Sequence, residues 1–205
     1  AASPLPEAQL VLIFGSRQWI ADPASLAQFG HDYPRAHLVG CSTGGQIVDD
    51  DVSDATASAL ALQFDRARIS VHRVPICGKE GSFNAGRALA TSMAAPDLKA
   101  VFVLSDGLQV NGSQLVHGLQ SVTGNGVIIT GGLAGDGSAF ETTLVSLDGI
   151  VTQGEAVAVG FFGASVVVWH GCAGGWDEFG PRRAITRSSG NVLFEIDGKR
   201  VLDLY

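Results

Sequence analysis

Four short segments place polar side chains directly after apolar runs that predict buried strands. The segments are GSRQW from Gly15, GCSTGG from Gly40, LSDGLQVNG from Leu104 and TGGLAGDG from Thr130. In open α/β sheets a ligand binds outside the carboxyl ends of the strands, where glycines let it approach backbone N–H groups. The predicted ligand-binding residues are Arg17, Ser42, Thr43, Asp106, Asn111, Gly135 and Asp136, with Trp176, or alternatively Trp19, as an apolar wall.

The segment GGLAGDG, from Gly131 to Gly137, has the glycine density of a phosphate-binding loop. A nucleotide fingerprint needs glycines at fixed offsets and a helix directly after them, whose free N–H groups and dipole receive the phosphate. The segment has neither G-x-G-x-x-G nor a final Gly-Lys-Ser/Thr, and the following FETTLVSL predicts a strand. We therefore expect a bend that shapes a small-ligand pocket, and no nucleotide cradle.

The stretch GCSTG, from Gly40 to Gly44, matches G-x-S-x-G, the turn that carries the nucleophile of α/β-hydrolases. Ser42 would be that nucleophile, with Asp106 and either His117 or His170 in the required chain order. A helix must follow such a turn, but the next residues, GQIVDDDVSD, are acidic and β-branched and predict none. A tight bend with Ser42 bonded to local backbone is favoured, and a serine hydrolase is the alternative.

The histidines predict no metal site. They are His31, His37, His72, His117 and His170. They form no H-E-x-x-H or similar cluster, and the acidic run at 49–51 lacks the spacing and glycine of an EF-hand. A single histidine is able to hold haem iron, so haem on His170 or another histidine is an alternative to a site without cofactor.

Composition excludes several classes of partner. With 46% hydrophobic and 16% charged residues the chain is that of a folded globule. A formal charge of -7 repels nucleic acid and anionic membrane surfaces. The three cysteines show no CxxC spacing, which favours small, mostly buried thiols in a reducing compartment. No apolar run predicts a spanning helix and the first residues show no signal peptide, so a cytoplasmic location without membrane contact is expected.

Helix and strand signals alternate over the first two thirds of the chain. Predicted strands are AQLVLIFGS, AHLVGCSTGG, TASALALQFD, RISVHRVPI, LKAVFVLSDG and GVIITGG. One helix is predicted over DPASLAQFG, with Asp22 as N-cap, Pro23 in the first turn and Gly30 as its end. Two more are SFNAGRALATSMAAP, with a Ser82 cap, and NGSQLVHGLQSVTG, which Gly118 weakens. This alternation indicates layered construction.

Consecutive strands are predicted after Phe140. FETTLVSL, IVTQG, EAVAVGFF and SVVVWHG are separated by turns at Asp148-Gly149 and Gly163-Ala164, which predicts an antiparallel meander. Several of these strands are apolar on both faces, so both faces should be covered. The predicted fold is therefore α+β, or mixed α/β: a layered sandwich of two central β-sheets with flanking helices. In the tail we expect an Asp197-Gly198 turn and a short helix over KRVLDLY.

Three segments together resemble the FIST family of bacterial sensor domains. They are LVGCSTGGQI, GGLAGDG and the tail HGCAGGWDEFGPRRAITRSSGNVLFEIDGKRVLDLY. The resemblance extends over nearly the whole chain. It implies a FIST N-terminal region over residues 1–180 and the beginning of a FIST C-terminal region over residues 181–205.

The resemblance also implies a function. It implies a bacterial signal-transduction input domain without enzymatic activity, which senses a small molecule, with an amino acid or related metabolite as the ligand. The expected partners are the rest of the FIST C-terminal region and histidine-kinase, diguanylate-cyclase or chemotaxis output domains. Some relatives of the family are haem-based nitric-oxide sensors, so a haem-based gas sensor is the alternative.

Overall fold

The protein is described by a computed structural model that covers residues 5–77, 81–169, 171, 174 and 177–204. The chain divides into two compact units, Ala1–Val168 and Trp169–Tyr205. The expected family boundary near residue 180 stays a prediction.

The described residues of the first unit form two large sheets, one two-stranded hairpin and four helices. In chain order its strands are β1 (Leu10–Gly15), β2 (His37–Ser42), β3 (Gln46–Val48), β4 (Asp51–Ser53), β5 (Ala57–Leu62), β6 (Arg68–Pro75), β7 (Leu98–Ser105), β8 (Ile128–Leu133), β9 (Val145–Leu147), β10 (Ile150–Thr152) and β11 (Glu155–Phe162). Its helices are α1 (Arg17–Ala21), α2 (Pro23–Asp32), α3 (Ser82–Ser92) and α4 (Gly112–Thr123).

The two sheets are mixed. The first has the order β10-β9-β2-β1-β5 and the second has the order β6-β11-β7-β8, while β3 and β4 form a separate hairpin. The pairs β1–β2 and β7–β8 are parallel, and the other pairs of these sheets are antiparallel. Parallel strands need a crossover connection, which α4 supplies between β7 and β8.

Three apolar clusters separate four layers. One fills the space between the sheets, where Val39 and Cys41 of the first sheet meet Val157 and Val159 of the second. A second joins α1 and α2 to the outer face of the first sheet. A third joins α3 and α4 to the outer face of the second sheet. The predicted α+β sandwich of two central sheets with flanking helices is confirmed.

The helix ends agree in part with the sequence signals. Asp22 caps α2, and its carboxylate accepts the N–H of Ala24 at 3.1 Å. Gly30 does not end that helix, which continues to Asp32, because glycine also tolerates helical backbone and Pro34 lies beyond the end. Ser82 is not the cap of α3.

Ser82 has a different role. Gly81 is the N-cap of α3, and Ser82 lies buried in the first turn. Its hydroxyl accepts the N–H of Asn111 at 2.9 Å. Asn111 in turn caps α4 through Gln114 N–H at 3.1 Å. The serine therefore ties the starts of the two outer helices together.

The predicted meander is wrong in two places. Residues 140–144 form no strand, because side-chain oxygens of Asp136 and Ser42 accept four of their N–H groups, and β9 begins only at Val145. The hairpin turn at Asp148-Gly149 is confirmed, with positive φ at both residues. However, β11 lies between β6 and β7. Since both its edges are occupied, it pairs with neither β10 nor the following SVVVWHG, whose described residues form no strand.

The second unit is a small antiparallel sheet. It contains β12 (Ile185–Ser189), β13 (Val192–Ile196), β14 (Lys199–Arg200) and α5 (Val201–Leu204). The predicted turn at Asp197-Gly198 is confirmed, and the carboxylate of Asp197 accepts the N–H of Ala184 at 2.9 Å. Arg187 pairs with Glu195 at 2.9 Å.

The structure bears on two expectations from composition, the buried thiols and the absence of a spanning helix. Burial between the sheets raises the pKa of the Cys41 thiol to about 12, but Cys77 is exposed, so the thiols are not uniformly buried. Among the helices of the described residues, none combines the length and the apolar composition of a membrane-spanning segment.

Candidate functional site

An open cleft lies where the chain leaves β1, β2 and β8. We call it the Arg17 cleft; its volume is about 690 Å³. Its lining residues are Ser16, Arg17, Gln18, Thr43, Gly44, Asp54, Asp136, Gly137, Ser138, Ala139 and Phe140. Because β1 and β2 are parallel neighbours, their carboxyl ends bring Arg17 and Thr43 to the same edge. The volume is that of a typical small-ligand site.

Arg17 carries the positive charge of the cleft. It is the first residue of α1, which Ser16 caps by accepting the N–H of Trp19 at 3.2 Å. Its guanidinium lies 3.7 Å from the carboxylate of Glu141, a side chain that is 71% exposed. Such an exposed ion pair contributes little stability, so the guanidinium is readily available to another carboxylate.

Asp136 organises the loop that forms one wall of the cleft. Its carboxylate accepts three backbone N–H groups: those of Phe140 at 3.1 Å, Glu141 at 2.7 Å and Thr142 at 2.9 Å. The N–H of Thr142, followed by that of Glu141, holds the pKa of Asp136 below its usual range, and the charge of Arg17 acts in the same direction. The three bonds also explain why this segment is not a strand.

The glycines of GGLAGDG allow two backbones to approach each other. The N–H of Gly135 donates to the carbonyl of Ser42 at 2.8 Å, which joins this loop to the end of β2. A Cβ on Gly135 would lie 3.3 Å from the nitrogen of Gly44. No helix follows the loop. The expected bend beside a pocket is therefore what the structure contains.

The hairpin of β3 and β4 is flanked by two residues of the cleft lining, Gly44 before it and Asp54 after it. Gln46 is buried at the base of the hairpin. Its amide oxygen accepts the Thr43 hydroxyl at 2.6 Å, and its amide nitrogen donates to the carbonyls of Ser53 and Thr56. Asp54 follows β4 and faces the cleft. Among the described residues its carboxylate accepts no hydrogen bond, so it differs from Asp136 in being uncommitted.

Four predicted site residues lie outside the cleft lining. Ser42 is fully buried, and its Oγ accepts the N–H of Leu144 at 2.9 Å. Asp106 is also buried and holds neighbouring loops, Asn111 caps α4, and Gly135 has the backbone contact described above. A hairpin, and no helix, follows Ser42, so the chain lacks the turn that gives a hydrolase serine its exposure.

Trp176 and His170 lie outside the described residues. Of the four described histidines, His31 and His117 are exposed, and His37 bonds to Asp148 at 3.0 Å. Burial lowers the pKa of His72. None of these four lines the Arg17 cleft, so the described residues do not fit a haem there.

The sequence reasoning missed several cleft residues. Asp54 follows a hairpin that is not among the predicted strands, although the alternation of QIV and DVS around a tight turn is a signal for one. Phe140 was placed in a strand. Its φ of 53° and its 75% exposure have no signature in the sequence.

We expect acid to release the wall loop at a low midpoint. Since the folded-state pKa of Asp136 is below its unfolded value, the carboxylate stabilises the loop above the ordinary pKa of about 3.9. That contribution is lost as pH falls through the lower, folded-state pKa. The amide NMR shifts of Glu141 and Thr142 should therefore move together, with a midpoint below 3.9 on that ordinary scale. In Asp136→Asn this transition should disappear, and a midpoint at or above the ordinary value would contradict the assignment.

Comparison with known proteins identifies one matching family. A family model described as FIST N domain matches residues 9–199. A search among curated proteins returns no match.

Proposed function

The chain belongs to the FIST N domain family, a family of sensory domains in signalling proteins, and from this premise we propose that it is a non-enzymatic input domain whose Arg17 cleft binds an amino acid or related metabolite. The family match confirms the resemblance found in the glycine loops and the tail. The observation that carries the proposal is an arginine with an exchangeable partner in a cleft formed by three strand ends.

Arg17 is the proposed anchor for the ligand carboxylate. A ligand carboxylate that displaces Glu141 forms two parallel N–H···O bonds with the guanidinium, a stronger arrangement than the present 3.7 Å contact. The Arg17 side chain is 32% exposed, so solvent screens its pair with a ligand in the cleft less than it screens the present pair with the largely exposed Glu141.

Asp54 is the proposed acceptor for the ligand ammonium. The carboxylate of Asp136 already holds three N–H groups, whereas Asp54 lines the same cleft without such partners among the described residues. Phe140 and Ala139 supply an apolar surface for the ligand side chain. A cleft with one arginine, one uncommitted carboxylate and an apolar wall favours a zwitterion over a simple anion.

Binding becomes a signal only if it favours one conformation of the protein. We propose that the ligand joins the Asp136 loop to the β3–β4 hairpin and so stabilises a closed arrangement. The proposed setting is a cytoplasmic signalling protein, with a FIST C-terminal region and an output domain of the histidine-kinase, diguanylate-cyclase or chemotaxis class as partners.

Isothermal titration with a panel of amino acids tests the site. We expect Arg17→Ala to weaken binding by about 10- to 100-fold, the effect of losing charge-assisted hydrogen bonds. Arg35→Ala is the matched control, because Arg35 forms an exposed ion pair with Glu7 and does not line the cleft. Binding of no amino acid, or equal effects of the two variants, would overturn the proposal.

A second titration tests the role of Asp54. The wild-type protein should prefer an amino acid over the carboxylic acid that lacks its amino group. In Asp54→Asn that preference should fall to near unity, while binding of the simple acid is unchanged. A preference that survives the substitution would assign the ammonium to another group.

A further inference from the structure

The edge of the second sheet at β8 is open. In the part of the chain that the structure describes, β7 pairs with one side of β8 and no strand pairs with the other. The strand is IITGGL, without a charge or a proline, and Leu133 is 52% exposed. Folded proteins usually protect such edges with charges, prolines or a covering element. This edge therefore has the features of a pairing surface.

A groove runs beside the open edge. It has a volume of about 370 Å³ and lies between α4 and β8, where Leu115 and Val116 of the helix face Ile129 and Leu133 of the strand. A Cβ on Gly112, the first residue of α4, would lie 3.7 Å from the Leu133 side chain. A strand added to β8 would cover this groove with its own side chains.

Neither the lining of the groove nor the segment that contains α4 and β8 carries a formal charge. From Gly107 to Gly135 the chain contains no Asp, Glu, Lys or Arg, although its net charge is -7. This stretch includes all of α4 and β8, and the exposed side chains of α4 include Gln114, His117 and Gln120. Depletion of charge marks the centres of protein interfaces. Two copies of the chain repel each other at long range because both are negatively charged, but this stretch places no charged side chain in their contact.

We propose that β8 pairs antiparallel with β8 of a second copy, which makes one continuous eight-stranded sheet across a two-fold axis. Ile129, Gly131 and Leu133 share the face that α4 covers, because their β7 partners Val101 and Val103 also pack there. The order apolar, glycine, apolar is symmetric about Gly131. An identical strand therefore places Leu133 of the second copy opposite Ile129, and the two α4 helices lie on the same face. An isologous contact of this kind closes into a dimer.

The oligomeric state of the 205-residue chain tests the proposal. Sedimentation velocity over a range of concentrations should show a monomer–dimer equilibrium. Ile128→Lys with Leu133→Lys places four charges in the symmetric contact and should raise the dissociation constant at least about 100-fold. The matched control is Leu60→Lys with Ile150→Lys, because both residues are 55% exposed and lie on the edge strands of the first sheet. The control should dimerise like the wild type.

Hydrogen exchange supplies a test without substitutions. Amides of β8 should be protected from exchange in concentrated solution and should lose that protection on dilution. The protection of the β5 and β10 amides should not change with concentration. A wild-type chain that is monomeric at all concentrations, or dissociation by the control pair instead, would overturn the proposal. If the variant with Ile128→Lys and Leu133→Lys fails to fold, the hydrogen-exchange experiment alone tests the proposed dimer.

Discussion

Asp106→Ala is expected to lower the free energy of unfolding by about 3 to 5 kcal/mol, because it breaks a hydrogen-bond network with four donors around a buried carboxylate. Asp106 is 2% exposed. Its Oδ1 accepts the N–H groups of Leu108 and Gln109 at 2.8 and 2.7 Å. Its Oδ2 accepts the hydroxyl of Thr143 at 2.9 Å and the N–H of Gly154 at 3.2 Å. Alanine leaves these four donors without their acceptor.

The size of the effect follows from the positions that the carboxylate joins. It connects the loop after β7, the segment before β9 and the turn before β11, so its loss affects both sheets. A domain is stable by only about 5 to 15 kcal/mol, so the variant should lose a large share of its stability. Urea unfolding followed by circular dichroism measures this as a lower midpoint with an unchanged slope.

A graded series separates the hydrogen bonds from simple loss of volume. Asp106→Asn keeps one acceptor oxygen and should cost less than alanine. Asp65→Ala is the matched control, because Asp65 is exposed and its carboxylate accepts no hydrogen bond among the described residues. The control should change stability by less than about 0.5 kcal/mol. Equal effects of Asp106→Ala and Asp65→Ala would remove Asp106 from this structural role.

Gly118→Ala should destabilise the protein by about 3 kcal/mol, although alanine is the better helix former by about 1 kcal/mol. A Cβ at Gly118 in α4 would lie 2.1 Å from the carbonyl oxygen of Phe83 in α3. The reciprocal position, Gly86, would place its Cβ 2.1 Å from the carbonyl oxygen of Leu115. The helices therefore have to move apart, and the cluster between them and the second sheet loses its packing.

The same substitution in α2 should have the opposite sign. A Cβ on Gly30 would find Leu38 Cδ1 at 3.9 Å, which is ordinary contact. Gly30→Ala is therefore expected to stabilise the protein by up to about 1 kcal/mol. Thermal and urea unfolding of Gly118→Ala and Gly30→Ala measure the sign and size of the two changes in stability. Stabilisation by Gly118→Ala would mean that the helices do not approach each other as closely as described.

The sequence predicts the elements better than it predicts their pairing. The strands β1, β2 and β5 to β8 and the helices α2 to α4 follow from apolar periodicity, the Asp22 cap and glycine turns, whereas β3, β4 and α1 are not predicted. The meander fails because Glu155 begins a strand whose two edges are taken by β6 and β7, segments far earlier in the chain. Turn signals are local, and they cannot tell which edge of a strand is free.

For the candidate site too, the sequence predicts what lies at a strand end better than it predicts tertiary contacts. Arg17, Thr43 and Asp136 follow strand ends, so the general rule for α/β sheets placed them in one cleft. Ser42 and Asp106 follow strand ends too, but their side chains point to buried backbone donors. Which of two neighbouring polar residues faces solvent depends on the twist at the strand end. Asp54 reaches the cleft through a hairpin that only the tertiary structure positions.

The position of β11 also determines when the chain is able to fold during synthesis. β11 is inserted between β6 and β7, and β9 pairs with β2 in the other sheet. A nascent chain that ends before Val145 therefore has neither sheet complete, and β6 and β7 must wait for a strand made more than 50 residues after Leu98. Such non-local pairing slows folding and exposes strand edges meanwhile. The first unit is thus expected to fold only after Phe162 has left the ribosome, as one late step.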